Sequence, residues 1–529
     1  MNGAGGNSTR LLFDDDDDFN TPTYLASIMY SLAALTAVLL AFKLLYERWI
    51  TPLSHVPGRF LHSVSSIPMR YNMIRGSLPH FLLSLHQQYG PIVRIAPQRV
   101  SIADPAMLKH VLGSHTFAKP PSYDMPSSLE PNTFSTRDGE LSDQRRRQIG
   151  PGFSHRHLAQ MEEAIAQCAV FNLRDVLARD GRRAFQYNRG FSLIALDIIG
   201  SLGFGCDFDA LRSGGHQMVG HLQKIRIFNY LTMAFPWLKK LPNLLGRRMG
   251  TLYALIDFAH DAIDRRRRRN SKLSEQSAEE PKQPDLLQMM LDVGRSEGDR
   301  RQTMTDAQMV SETILNLLAG VDTTSVGLTW TLALLLHNPR VMQRLVAEIR
   351  TEFPPSADPA SFINYEACKR LPYLTAVINE SLRIMSPTPG MLPRLAPRGG
   401  LRLAGYVLPQ GTWLCCSIGA VHMNPKYFPD PEEFSPDRFL TEKSDAKQNL
   451  LAFSTGVRAC LGRNLALFEM HLAIANLLRD YDLALPKDAA VAAEHLSGVL
   501  PTIPRRYMMT NNPSNPDRDC RVMVTKVLA

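Results

Sequence analysis

The sequence predicts a mainly α-helical fold with a smaller β region, behind an N-terminal transmembrane helix. Apolar residues recur at helical spacing along four long stretches, at 155–179, 191–202, 245–269 and 305–336. Two short β-prone runs, 92–95 and 99–102, flank Pro97 and predict a hairpin, and short β elements are expected between 393 and 413. Residues 24–42 carry no charge, which is the third observation behind this fold class.

The charge-free segment predicts a membrane anchor at 23–46. It is rich in Leu, Ala, Ile and Val, and Lys43 near its end can extend its amine toward the lipid head groups. The alternative is a cleaved signal peptide. That alternative is disfavoured because the preceding region is acidic and no small-residue cleavage site follows. A proline-punctuated linker at 47–58 is expected to orient the rest of the chain relative to the membrane.

The charges around the anchor predict its orientation. A run of aspartates at 14–18 precedes it, whereas Lys43, Arg48 and Arg59 follow. The positive-inside rule therefore places residues 1–22 in the lumen and everything after the anchor in the cytoplasm. Asn7 lies in a glycosylation sequon, which agrees with a lumenal tail and predicts a glycoprotein.

Composition excludes several classes of protein. The chain has 529 residues and seven scattered cysteines, so no disulfide framework is predicted and the main body should lie in a reducing compartment. Adjacent Cys415 and Cys416 lack a second pair at zinc-site spacing and are interpreted as strand residues. The net charge of +9 comes from basic residues mixed with acids, and no nucleic-acid motif accompanies them. The arginines at 265–269 are interpreted as a solvated helix end.

The most informative motif is F-x-x-G-x-R-x-C-x-G, at Phe453, Gly456, Arg458, Cys460 and Gly462. A thiolate ligand to heme iron needs such a loop, in which backbone N–H groups bond to the sulfur and glycines permit a close backbone approach and positive φ values. Arg458 is placed to meet a heme propionate, and Phe453 to cover the proximal face. A buried structural cysteine is the alternative, and it does not explain the whole pattern. At these residues the chain resembles the cytochrome P-450 family of heme-thiolate monooxygenases.

A second motif lies in the longest helical stretch. Thr305 and Gln308 form a capping-box signature, and Ala-Gly-Val-Asp-Thr-Thr follows at 319–324. Threonine and glycine within a helix favour a local bend. In the family this segment activates dioxygen, so the resemblance implies that Asp322 and Thr323 deliver protons to oxygen and act as the catalytic residues.

Further family landmarks appear in order. Glu380 and Arg383 form E-x-x-R, and Arg438 lies in P-x-R-F. In the family these three residues form a buried ion cluster behind the heme, with a structural role. By the same resemblance Arg146 and Arg394 meet the propionates, although Ser142 replaces the usual Trp or His, so one propionate contact is expected to be missing.

The substrate pocket is implied by the resemblance alone. It would be mainly apolar, which predicts a hydrophobic substrate of small to medium size. Its expected lining is a loop at 113–140 together with Ala319, Gly320, Thr388, Met391 and Leu392.

Together these landmarks imply the cytochrome P-450 fold, as one heme domain at 59–529. The resemblance implies a membrane-anchored monooxygenase with heme b (iron protoporphyrin IX), Cys460 as the axial iron ligand, and dioxygen and NADPH-derived electrons as co-substrates. No reductase segment follows Cys460, so a separate NADPH-dependent flavoprotein reductase on the same endoplasmic reticulum membrane is the expected partner.

The residues 89–94 and Phe153-Ser154 look like fungal microsomal members. Hydroxylation or epoxidation in a terpenoid, polyketide or alkaloid pathway is therefore expected. Two alternatives stay open: a heme-thiolate isomerase or dehydratase that works without a reductase, and a non-catalytic heme-binding protein. The Asp-Thr pair argues against both, because neither needs proton delivery to dioxygen.

Overall fold

The structure, a computed structural model, describes residues 21–124, 129–181, 183–240, 246–275, 285–293, 303–441, 444–489 and 503–528. The predicted glycosylation sequon at Asn7 and the aspartate run lie outside these residues. The helices in chain order are α1 (Thr21–Leu45), α2 (Phe60–Val64), α3 (Ile67–Arg75), α4 (Leu78–Tyr89), α5 (Pro105–Leu112), α6 (Gly139–Ile149), α7 (His155–Gln160), α8 (Glu162–Ala166), α9 (Asn172–Asp180), α10 (Tyr187–Phe204), α11 (Gln217–Ala234), α12 (Gly246–Glu275), α13 (Leu286–Asp292), α14 (Asp306–His337), α15 (Pro339–Glu352), α16 (Tyr365–Lys369), α17 (Pro372–Ile384), α18 (Ile418–His422), α19 (Asp445–Asn449), α20 (Arg463–Asp480) and α21 (Pro516–Asp519).

The strands form a smaller β region, so the predicted fold class is confirmed. They are β1 (Ile92–Ala96), β2 (Arg99–Ile102), β3 (Phe185–Gln186), β4 (Met391–Leu395), β5 (Leu401–Leu403), β6 (Tyr406–Leu408), β7 (Trp413–Ser417), β8 (Tyr481–Ala484), β9 (Arg505–Met508), β10 (Thr510–Pro513) and β11 (Arg521–Lys526). The main sheet has the order β1-β2-β7-β4. Its first two strands form the predicted antiparallel hairpin, with Ile92 opposite Ile102. Cys415 and Cys416 are buried in β7, as predicted for strand residues.

Apolar periodicity found the long helices but not their interruptions. The stretch at 155–179, predicted as one helix, consists of α7, α8 and α9, with a π-helical turn at Gln167–Phe171. Apolar residues continue through these breaks, with Leu158, Ile165 and Leu173 all buried, so periodicity could not distinguish three helices from one.

Within the described part of the chain, two helices are long and apolar enough to cross a membrane, and they differ in burial. The side chains of α1 are largely exposed, whereas α14 is mostly buried, with Trp330 completely so. The helix α14 packs most extensively against α10. It is therefore the central helix of the body, and α1 is the helix that suggests a membrane anchor.

The arginine block was predicted as a solvated helix end, and four of its five side chains, at 265 and 267–269, are exposed. The helix α12 continues to Glu275, and Arg266 within the block is buried. It forms an ion pair with Asp285, which is also completely buried. Arg267 Nη1 donates to Asp306 Oδ2 at 2.7 Å, at the start of α14. Arg266 and Arg267 thus bind carboxylates on neighbouring segments, because the fold brings the acids at 285 and 306 next to them.

Candidate active site

The cysteine loop lies between a short 3-10 turn at Gly456–Arg458 and the start of α20. The Cys460 N–H donates to the Phe453 carbonyl at 2.9 Å, which closes the loop. Gly456 has a φ of 74°, and a Cβ there would lie 2.3 Å from the Leu112 carbonyl oxygen. Only glycine fits that position without strain, because other residues rarely adopt positive φ and would collide with α5.

Gly462 contributes through its amide. Its φ is −79°, and a Cβ would meet no atom within 4 Å, so the expected need for a positive φ or a close approach does not apply here. Burial raises the pKa of the Cys460 thiol, and the hydrogen bond from the Gly462 N–H opposes that rise. Cys460 nevertheless keeps accessible surface, so its sulfur faces a space inside the fold. This is the arrangement that a thiolate metal ligand requires.

The middle of α14 also faces that interior. The predicted capping box is present: the Thr305 N–H donates to Gln308 Oε1 at 3.0 Å, and the Gln308 N–H donates to Thr305 Oγ1 at 3.3 Å. Along this otherwise buried helix Ala319 is exposed, and Gly320 and Thr323 are half-buried. The Thr323 hydroxyl donates to the Ala319 carbonyl at 2.6 Å, which is the back-bond that favours a bend. These residues therefore border accessible space in the core.

Asp322 has a partner that the sequence did not indicate. Arg226 on α11 forms an ion pair with it, with 3.1 Å between Nη1 and Oδ1, and both side chains are mostly buried. Burial raises the pKa of Asp322, and the Arg226 guanidinium opposes that rise. The carboxyl is thus held against α11 next to Thr323. No sequence signal connects positions 96 residues apart.

Arg226→Met is expected to make the folded protein lose stability more steeply as the pH rises. Without the guanidinium, folded Asp322 holds its proton to a higher pH than it does in the wild type. Such a group stabilises the fold below its unfolded pKa, about 3.9 for Asp, and that contribution is lost as the pH rises through the folded pKa. Melting temperatures measured between about pH 5 and pH 8 would show the steeper slope.

The double variant Arg226→Met/Asp322→Asn is the control for this prediction. It lacks the titrating carboxyl, so its melting temperature should depend on pH less than that of Arg226→Met. Equal pH dependence in Arg226→Met and wild type would contradict the pairing.

Four basic side chains gather on the side of the interior next to the cysteine loop. Among the described residues no carboxylate forms an ion pair with Lys119, Arg146, Arg394 or Arg458. The three arginines donate instead to main-chain carbonyls: Arg146 Nη1 to Ala459 at 3.0 Å, Arg394 Nη1 to Pro393 at 2.9 Å, and Arg458 Nη1 and Nη2 to Thr136 at 3.2 Å and Asp138 at 3.0 Å. Lys119 and Arg394 are buried and Arg146 and Arg458 are half-buried. Basic groups that gather in this way without a carboxylate ion-pair partner mark a site for an anion.

Lys119 is the member of this cluster that the sequence did not indicate. It is 5% exposed and donates to the Phe134 carbonyl. Burial, followed by repulsion from Arg458, Arg394 and Arg146, lowers the pKa of Lys119 to about 6. Ser142, at the family's Trp or His position, is completely buried, and its hydroxyl has no hydrogen-bond partner within the described part of the chain. The cluster therefore contains a lysine besides the three arginines, and a bound carboxylate would raise the lowered pKa of Lys119 and restore its charge. Such a set of basic groups fits the two carboxylates of a heme.

The three residues predicted as an ion cluster do lie together. Glu380 Oε2 is 2.6 Å from Arg383 Nε, and Glu380 Oε1 is 3.0 Å from Arg438 Nε. Glu380 and Arg383 are completely buried, whereas Arg438 is 12% exposed. Arg383 Nη1 also donates to the carbonyls of His422 and Pro431, each at 2.8 Å. The cluster thus joins α17 to the segment that leads to the cysteine loop.

The predicted pocket residues lie on separate elements. Thr388 is half-buried in the turn after α17, and Met391 and Leu392 are half-buried in β4. Part of the loop at 113–140 is fixed to α14, because the N–H and hydroxyl of Thr133 donate to Glu312 Oε1 at 2.7 and 2.9 Å. Glu312 is fully buried, and burial raises its pKa to about 7. Sequence patterning gave no indication of this carboxyl.

Comparison with known proteins agrees with the family landmarks in this chain. The family model for Cytochrome P450 matches residues 60–510. Cytochrome P450 monooxygenase helB1 of Aspergillus fumigatus is 31% identical over 95% of this chain and 87% of its own length. Cytochrome P450 monooxygenase ABA2 of Pyricularia oryzae is 32% identical over 88% of this chain and 91% of its own. Cytochrome P450 monooxygenase astA of Talaromyces wortmannii is 29% identical over 87% of this chain and 92% of its own length. The chain therefore belongs to the cytochrome P450 family, is similar to its fungal members, and shares the heme iron that membership implies.

Proposed function

We propose that this protein is a membrane-anchored, heme-thiolate monooxygenase that inserts one oxygen atom into a hydrophobic small molecule. Bound heme would supply the iron chemistry that reduces dioxygen. The observation that supports this assignment is that the Cys460 sulfur, which receives the Gly462 N–H, lies near four basic side chains that form no ion pair with a carboxylate among the described residues. Cys460 would be the axial ligand, and Lys119 would join the three arginines in holding the propionates.

Two residues of α14 would deliver protons during the reaction. Thr323 borders the interior and holds its hydroxyl on the Ala319 carbonyl, from which it can rotate toward a bound molecule. Asp322 lies next to it in sequence, with Arg226 holding its carboxyl. The Thr323 hydroxyl could receive a proton from Asp322, a buried acid whose pKa is raised, and pass it on. This arrangement suits stepwise proton delivery. The electrons would come from a separate NADPH-dependent flavoprotein reductase.

Thr323→Ala is expected to uncouple NADPH oxidation from product formation. The variant should still bind heme and substrate. Because it lacks the threonine hydroxyl, the dioxygen that is reduced should leave mostly as hydrogen peroxide. Product per NADPH should fall by about tenfold or more, since general acid catalysis commonly contributes 10²–10⁴-fold. Reductase-coupled assays of NADPH, peroxide and product would measure the ratio.

The matched control is Thr324→Ala. That neighbouring side chain is 5% exposed, whereas Thr323 is half-buried and borders accessible space, so the loss of the Thr324 hydroxyl should leave coupling near the wild-type value. A fully coupled Thr323→Ala enzyme would remove the proton-delivery role. Wild-type product that contained no label from ¹⁸O₂, or that formed anaerobically without a reductase, would instead indicate an isomerase or dehydratase.

We further propose that the substrate is a terpenoid, polyketide or alkaloid of fungal secondary metabolism, which the enzyme hydroxylates or epoxidises. Apolar or small side chains at Ala319, Met391 and Leu392 keep accessible surface in the core, which suits a hydrophobic ligand. The fungal relatives are named as cytochrome P450 monooxygenases, which supports the oxygenation reaction, and their names give no substrate. Product analysis after co-expression with a reductase, using hydrophobic candidates of these three classes, would test the assignment.

Microsomes would test the proposed location, which is the endoplasmic reticulum membrane with the N-terminus lumenal and the catalytic body cytoplasmic. The helix α1 and the basic residues after it support this orientation. Protease added to intact microsomes should digest the catalytic body and spare residues 1–22. A protected catalytic body would overturn the orientation and the choice of electron donor.

A further inference from the structure

Arg94 of β1 is a buried cation whose carboxylate partner comes from the end of the anchor. The Arg94 side chain is 2% exposed, and its Nη2 lies 2.9 Å from Glu47 Oε2. Arg94 Nη1 also donates to the Glu47 carbonyl at 2.7 Å, and Nη2 donates to the Pro97 carbonyl at 2.7 Å. Glu47 belongs to the π-helical turn Tyr46–Ile50, which directly follows α1. One residue at the end of the anchor therefore binds the guanidinium through both its side chain and its main chain.

This ion pair makes the end of the anchor part of the catalytic body. Burial lowers the pKa of Arg94, and Glu47 opposes that change most strongly. Among the described residues, Glu47 is the only carboxylate that forms a salt bridge with Arg94. Removing one partner of a buried pair leaves an uncompensated charge, which is strongly destabilising. The stability of β1 thus depends on Glu47. A flexible linker between the anchor and the catalytic body would not make such a contact.

The chain after Glu47 is also held tightly to β1. The Arg94 N–H donates to the Pro57 carbonyl at 2.7 Å. At the next residue, Gly58, a Cβ would lie 2.5 Å from the Arg94 carbonyl oxygen. The segment at 47–58, predicted as a linker, therefore contacts β1 at both of its ends.

An apolar surface lies beside this contact. We call it the α2–α3 surface, and it comprises Phe60, Leu61, Ile67, Tyr71 and Ile74. Their exposed fractions run from 43% at Ile74 to 71% at Ile67. On α3 the last three follow the spacing i, i+4, i+7 and so form one stripe. The ring centroids of Trp49 and Phe60 are 6.3 Å apart, so the surface is continuous with the end of the anchor.

We infer that the Glu47–Arg94 ion pair is a rigid joint that couples the anchor helix to the catalytic body and holds the α2–α3 surface against the lipid bilayer. The inference rests on the membrane anchoring proposed above. The bilayer is the occupant because the surface continues from α1, whose apolar side chains are exposed around the helix, and because isolated apolar stripes of this size are costly in water. The joint would then set the tilt of the catalytic body on the membrane.

Glu47→Gln and Glu47→Leu in the full-length, heme-loaded protein test the joint. Both should lower the melting temperature in detergent by several degrees, with the larger loss in Glu47→Leu, which removes the side-chain acceptor as well as the charge. In oriented bilayers, polarised absorption of the heme should show one defined tilt in the wild type and a broadened distribution in both variants. Arg48→Gln is the matched control, because Arg48 repels Arg94 and should leave the melting temperature unchanged or higher.

The outcomes distinguish the proposed role of the Glu47–Arg94 ion pair from the proposed membrane anchoring by α1. All variants should remain in the membrane fraction, since α1 is intact. A wild-type protein found in the soluble fraction would overturn the anchor proposal. A membrane-bound wild type whose melting temperature and heme tilt are both unchanged by Glu47→Gln and Glu47→Leu would overturn the joint and leave the anchor standing.

Discussion

Cys460→Ala is expected to abolish the red-shifted Soret band of the ferrous–CO form. That band reports thiolate ligation to heme iron, and Cys460 is the cysteine whose sulfur receives the Gly462 N–H and faces the core interior. Alanine supplies no ligand, so the loss should be complete and not graded. Difference spectra of the purified protein, with heme content measured separately, would check the result.

Cys415→Ala and Cys416→Ala are the controls for this variant. Both thiols are completely buried in β7, where burial raises their pKa values to about 11 and about 12. They are therefore neutral thiols and poor metal ligands, and their removal should leave the band in place. Survival of the band in Cys460→Ala would refute the assignment of the axial ligand.

Glu380→Ala should greatly reduce the yield of folded, heme-loaded protein. Glu380 is completely buried between two arginines, and its loss would leave the buried guanidinium of Arg383 without a counter-charge. Breaking a buried pair in this way costs about 3–5 kcal/mol, a large part of the stability of most proteins. Expression yield, heme per polypeptide and urea denaturation would measure the effect.

The chain contains a matched exposed pair with the same spacing. Glu366 and Lys369 on α16 are also three residues apart, with 3.4 Å between Oε2 and Nζ, but their side chains are 62% and 44% exposed. Glu366→Ala should therefore change stability by only about 0.5 kcal/mol. If the two variants lost similar stability, burial would not be what gives the Glu380 cluster its importance.

Local patterns were sufficient to predict the parts of the site that lie within one segment. The cysteine loop, the capping box at Thr305 and the E-x-x-R pair each depend on residues a few positions apart, and helix periodicity found α10, α12 and α14. A short motif specifies such features because neighbouring residues must share one backbone geometry.

The remaining parts of the site depend on contacts between distant segments. Arg226 reaches Asp322 only because α11 passes beside α14, and Lys119 joins the cation cluster only because its loop folds over the cysteine loop. Arg266 was expected in solvent and is instead buried against Asp285. Propensity and periodicity describe one element at a time, so they do not indicate which charges meet after packing.

The composition of α14 has a consequence for how the chain is made. Of the helices that the structure describes, α1 and α14 are apolar enough to enter lipid, and the membrane insertion machinery should retain only α1 there. Asp322 lies at the middle of α14, where an aspartate raises the cost of lateral entry into lipid by roughly 2.5–3.5 kcal/mol. We expect that the carboxyl proposed to serve the reaction also disfavours transfer of the core helix into lipid. Replacing it would therefore affect the topology of the nascent protein as well as its chemistry.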